Sequence, residues 1–142
     1  MSAVEFRNVE ASADEPVDTW PHEALVETLE RGLVQDWSPV FTEIRARPWG
    51  TVARRIQRWT RITQDRAAAA LFSAAVAQAR DRVEAQERDE VARRVREAIE
   101  SSGLTAADFA ATIGTSASRL STYASGKVVP SATMLLRITS PR

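Results

Sequence analysis

No cysteine occurs in the 142 residues, which excludes disulfides and thiolate metal sites and suits a reducing compartment. Histidine is nearly as scarce. His22 stands alone after Pro21 at the start of a helical pattern and reads as a capping or surface residue, not as a base or a ligand. The five glycines are dispersed as helix stops, so no glycine-rich loop is available to cradle a phosphate. Carboxylates such as Glu27 and Glu30 line a solvated face. The expectation is a protein with no catalytic residues, no metal and no cofactor, and therefore not an enzyme. Long apolar runs are missing too: the longest, residues 67–77, is broken by Ser73. A bilayer span needs roughly 20 such residues. The opening stretch is acidic and irregular, unlike a basic-then-apolar leader, and the expected location is the cytoplasm.

What is present is an apolar content of 44%, enough to build a packed interior. The formal net charge of zero hides a strong asymmetry. Residues 1–44 hold ten acidic and two basic side chains, residues 45–90 six against ten, and residues 91–142 three against seven. An acidic head followed by a basic tail places the part suited to phosphates in the second half of the chain.

Residues 1–18 carry a weak alternation of Val4, Phe6 and Val9, enough for a short strand or an extended arm. From Trp20 the pattern turns helical. Leu25, Val26, Leu29 and Leu33 recur at helix spacing between Pro21 and Gly32, and Trp37, Val40, Phe41 and Ile44 follow on one side of a second helix. Pro48 and Gly50 punctuate the chain, and then 52 residues pass without a glycine or proline. Val52, Ile56 and Trp59 make one stripe. After a bend at residues 60–65, Leu71, Phe72, Ala75, Val76, Ala79 and Val83 make another. The stripe fades through residues 84–90 and resumes out of phase at Val91, Val95, Ala98 and Ile99.

Three acid-to-base pairs at i, i+4 (Glu84/Arg88, Asp89/Arg93, Glu90/Arg94) support a solvated helix across the gap. The reading is one long helix passing from a first core to a second, with a break at 84–90 as the alternative. All four tryptophans fall within the first 59 residues and are expected to anchor a small helical core.

The stretch from Ser102 to Ile138 is the informative one. Thr105 with Asp108 has the form of a capping box opening a helix whose apolar side is Phe109, Ala110 and Ile113. Gly114 stops that helix where the chain must turn with a positive φ. Thr115 and Ser116 can cap the next helix, on which Leu120 and Tyr123 point inward and which Gly126 ends. Pro130 and Ser131 start a last helix whose Met134, Leu135 and Ile138 pack back. Two helices crossing over a short turn need a small residue where they meet, a glycine at the turn and a large apolar lock beyond it. Ala110, Gly114 and Leu120 supply these at spacings of four and six. The outer face of the second helix is then free to enter a major groove while the first lies over the backbone.

The run "FAATIGTSASRLSTYASGK" followed by "PSATMLLRI" resembles the Cro/C1-type (Xre-like) helix-turn-helix family of phage repressors and bacterial regulators, over residues 95–138 only. The resemblance implies a scaffold of Ala110, Gly114, Leu120, Tyr123 and Gly126. It implies a DNA-binding face of Ser116, Ala117, Ser118, Arg119, Ser121, Thr122 and Lys127. Ser118 and Thr122 stand where the family reads base edges, and Ser121, Gly126 and Lys127 where it meets phosphate. Arg119 can take a guanine or a phosphate. Ala106 and Ala117 stand where relatives often carry glutamine, so polar readout per half-site is thin and a homodimer is expected to reach useful occupancy.

The expected architecture is all-α: an acidic arm at residues 1–19, a helical dimerisation or partner-binding module at 20–85, and a helix-turn-helix DNA-binding domain at 86–142. The function implied is a sequence-specific repressor of operator DNA. Its N-terminal part either dimerises a stand-alone regulator or docks the toxin of an autoregulated toxin–antitoxin pair. The acidic residues 1–44, which could fold on a partner, tilt the balance towards the second. A helical interaction module that has lost DNA binding is the third reading.

Overall fold

The structure is a computed structural model that describes residues 12–140. The alternating residues Val4, Phe6 and Val9 lie outside them. Among the described residues there are α-helices and short 3₁₀ turns and no strands, so the all-α expectation holds. The helices are α1 (His22–Arg31), α2 (Ser38–Ala46), α3 (Thr51–Ile62), α4 (Arg66–Ser102), α5 (Ala106–Ile113), α6 (Ala117–Ala124) and α7 (Ala132–Thr139). The chain divides into two compact units, one up to Arg82 and one from Val83 onwards, and α4 contributes to both. Residues 84–90 are helical, which decides for the unbroken long helix over a break.

In the first unit the buried residues Leu25, Leu29, Val40, Ile44, Val52, Ile56 and Val76 enclose an aromatic centre. Phe72 is fully buried there, stacked on Phe41 at 5.0 Å and meeting Trp37 and Trp59 edge-on at 5.2 and 5.9 Å. Such edge and offset contacts add to the area each ring removes from water. The indoles find acceptors as they are covered: Trp20 donates to the Glu15 carbonyl, Trp37 to the Thr28 carbonyl and Trp59 to the Glu30 carboxylate. Trp49 departs from the core-anchor expectation. It is 45% exposed and carries the Arg80 guanidinium over its ring.

Two other sequence readings shift. Leu33 lies past the end of α1 and is exposed, because Gly32 closes the helix before it. Of residues 1–44, which could fold on a partner by their acidic charge, the described part already supplies Val17, Trp20, Leu25, Leu29, Val40 and Ile44 to the core. The stripe on residues 66–83 is spent in the same way on Ala68, Phe72, Val76 and Ala79, leaving Leu71 half-exposed.

The second unit packs Val95 of α4, Phe109, Ala110 and Ile113 of α5, Leu120 and Tyr123 of α6, and Ile138 of α7 into one core. Ala98, Ile99, Met134 and Leu135 border it. Of the three pairs expected on α4, Glu90–Arg94 forms at 3.0 Å. Arg93 pairs not with Asp89 but with Glu90, three residues before it, and Glu97, four residues after it.

Candidate nucleic-acid interface

Helix α5 opens on Thr105, whose hydroxyl accepts the Asp108 N–H at 3.1 Å, and it closes on Gly114 at φ +76°. The Gly114 N–H donates to the Ala111 carbonyl and the Thr115 N–H to the Ala110 carbonyl, at 3.3 and 3.0 Å. This is the paired Schellman arrangement that ends a helix and reverses the chain. Ala110 therefore serves twice. Its methyl is buried in the core, and its carbonyl anchors the turn.

Ser116 then caps α6, accepting the Arg119 N–H at 3.1 Å. Thr115, the other candidate cap, instead buries its hydroxyl, with no hydrogen-bond partner among the described residues. Leu120 and Tyr123 hold the inner face of α6 in the core. At the far end, the Gly126 N–H donates to the Tyr123 carbonyl at φ +79°. A Cβ on Gly126 would stand 3.6 Å from the Ala92 methyl, an ordinary van der Waals contact, so the glycine is required there by its φ and not by space.

One positioning contact was not legible in the sequence. Arg96 of α4 donates to the Ala124 carbonyl at 2.7 Å, capping the C-terminal end of α6 with a cation where the helix dipole is negative. The two residues are 28 apart in the chain, and no local pattern links them. Ser131 caps α7 through the Met134 N–H at 3.2 Å, and the buried Pro130 precedes it.

On the outer side, Ser116, Ala117, Ser118, Arg119 and Ser121 are exposed and Thr122 is half-exposed, while Lys127 lies exposed in the following loop. The Arg119 guanidinium and the Lys127 ammonium have no ion-pair partner among the described residues, so both charges face solvent. The Thr122 hydroxyl donates to the Arg119 carbonyl at 2.6 Å, which ties up its proton and leaves its oxygen as an acceptor. Side by side, α6 presents three hydroxyls (Ser118, Ser121 and Thr122), one guanidinium and little else that is polar and long. No cluster of three or more histidine, aspartate or glutamate side chains among the described residues could hold a metal. No described helix is long and apolar enough to cross a membrane.

No curated protein and no solved structure matches the chain. Residues 90–140 match a family described as "Helix-turn-helix domain". That span contains the Arg96 contact, the α5 turn, all of α6 and α7, and every residue of the outer face. Residues 90–140 are thus a helix-turn-helix domain of the Cro/C1 type, a DNA-binding fold that accounts for this segment of the chain.

Proposed function

We propose that the chain is a sequence-specific transcriptional repressor that reads its operator with the outer face of α6 and binds as a homodimer. The observation that carries this is the contrast across α6: Leu120 and Tyr123 are locked in the core while Ser118, Ser121 and Thr122 lie on the opposite side, with Arg119 exposed at its flank. A helix held on one side and bare on the other is what insertion into a major groove requires. In this reading Ser118 and Thr122 face base edges, Arg119 takes a guanine or a phosphate, and Ser116, Ser121 and Lys127 meet the backbone. Two-fold pairing follows from the small polar inventory, since one arginine and short hydroxyls give little affinity per half-site.

Selection of bound duplexes from a random DNA pool tests this directly. A two-fold consensus, bound with steeply salt-dependent affinity, is expected. Failure to enrich any sequence above background sinks the reading.

A second reading makes the repressor the autoregulating antitoxin of a toxin–antitoxin pair. It is supported by the exposed carboxylates Asp14, Glu15 and Glu23, which have no ion-pair partner among the described residues. Truncation of residues 1–44 is not a usable test, because it removes Trp20, Leu25, Leu29, Val40 and Ile44 from the first core. Co-expression with the product of the adjacent open reading frame is the better experiment. Copurification together with neutralised toxicity supports the antitoxin. A non-toxic neighbour that does not copurify leaves the stand-alone repressor.

A further inference from the structure

Helix α3 lies outside the matched segment, and its charge is all of one sign. Between Glu43 and Asp65 the chain carries six arginines and no carboxylate. On α3 the core takes Val52, Ala53, Ile56, Trp59 and Thr60. At 3.6 residues per turn, Arg54, Arg58 and Arg61 fall within one narrow arc on the side away from that core, a single row at spacings of four and three. All three are exposed. Arg55, next to the row, is not part of it, because its guanidinium donates to the Trp20 carbonyl at 3.1 Å.

None of the three has an ion-pair partner among the described residues, whereas Arg47, Arg93 and Arg94 are each met by a carboxylate. Arg54 makes a long hydrogen bond to the Thr51 hydroxyl at 3.5 Å, which leaves most of its guanidinium to solvent. Like charges at i, i+4 work against their own helix, whereas Arg61, in the last turn, is favoured by the helix dipole. A solvated helix face ordinarily mixes signs, so an exposed row of three like charges that no carboxylate meets among the described residues points to an anionic surface that it meets.

We infer that Arg54, Arg58 and Arg61 form a second DNA-phosphate contact, separate from α6 and blind to base sequence; this rests on the DNA-binding reading of the helix-turn-helix domain. Three features favour a nucleic-acid backbone. The guanidinium fork matches phosphate in a way a lysine does not. The row is linear, as a strand of phosphates is. And the chain already carries a DNA-binding domain that would hold the row at high local concentration near duplex.

The test uses the full chain and a long random-sequence DNA duplex, with affinity followed from about 50 to about 200 mM salt. Removing one phosphate-binding cation lowers the slope of log affinity against log salt by about 0.9, so the triple variant Arg54→Gln, Arg58→Gln, Arg61→Gln is expected to lower it by about 2.7. The triple lysine counterpart keeps the charge and is expected to hold the slope. Melting curves check that the glutamine variant is folded; should it melt early, Arg58→Gln alone answers the question with an expected decrease of about 0.9. Binding with an unaltered slope overturns this inference alone. So does loss of self-association with an unaltered slope, which would assign the row to a carboxylate surface on a second copy of the chain. No binding by the unmodified chain overturns the DNA reading, and this inference with it.

Discussion

At the scale of single residues, neighbouring positions on the same module do opposite jobs. Arg119 is exposed and unpaired among the described residues, so under the proposed function Arg119→Ala removes a DNA contact and no internal ion pair. A loss of operator affinity of about 1–3 kcal/mol is expected if the arginine reads a guanine, with an unchanged melting temperature. Gel-shift titration beside calorimetry checks both halves, and unchanged affinity removes the residue from the interface. Gly114→Ala should do the reverse of this in stability.

A Cβ at Gly114 meets open space, with only the Arg137 guanidinium at 3.9 Å, so the cost is purely conformational. Placing an L-residue at φ +76° costs about 1–2 kcal/mol, which in a unit of this size lowers the melting temperature by several degrees. Gly32 makes the contrast. Its φ is an ordinary −67°, but a Cβ there would stand 2.3 Å from the Thr28 carbonyl oxygen. One glycine is required for backbone handedness and the other for room, and a sequence prints them alike.

At the scale of elements, caps and local ion pairs set where helices begin and how α4 crosses its polar stretch. Hydrogen bonds from Arg93 and then Arg94 hold the Glu90 carboxyl down to about 2. An unfolded glutamate titrates near about 4.3. A folded value below the unfolded one means that the pairing stabilises the chain fully above about pH 4.3 and is lost as pH falls towards about 2. The Glu90 side chain is 41% exposed, so the effect is small and is screened further by salt. A carboxyl-detected NMR titration should show Glu90 titrating well below the ordinary glutamate value, and Glu90→Gln should flatten the acid limb of helicity in that window. A Glu90 midpoint at the ordinary value would show that the pairs do not persist in water.

At the scale of the molecule, two separate cores share one helix, and each core has its own vulnerable centre. Phe72 touches three aromatic rings, so Phe72→Ala is expected to cost about 3–5 kcal/mol in the first unit. Far-ultraviolet melting with separate tryptophan fluorescence should then show the first unit unfolding early, since Trp20, Trp37, Trp49 and Trp59 all belong to it. Simultaneous loss of both signals at the lower temperature would show the units to be one cooperative block. Dimerisation also belongs to this scale. Sedimentation at micromolar concentration is expected to give twice the chain mass, and a strictly monomeric mass counts against the two-fold repressor. The apolar stripe on residues 66–83 no longer argues for that dimer, because the first core accounts for most of it.

The sequence by itself determined whatever depends on neighbours within about one helical turn. Helical periodicity, the Thr105, Ser116 and Ser131 caps, the Gly114 turn and the inward set Phe109, Ala110, Ile113, Leu120, Tyr123 and Ile138 were all legible. Each depends on residues a few positions apart, and spacing carries that information. The tertiary structure alone decided that Val17 joins the first core, that Trp49 is exposed, and that Arg96 holds the end of α6. It also decided which arginines are satisfied and which are bare, Arg55 bonding to Trp20 across 35 residues while Arg58 meets no carboxylate among the described residues. Those contacts join positions far apart in the chain, and only packing brings their partners within reach.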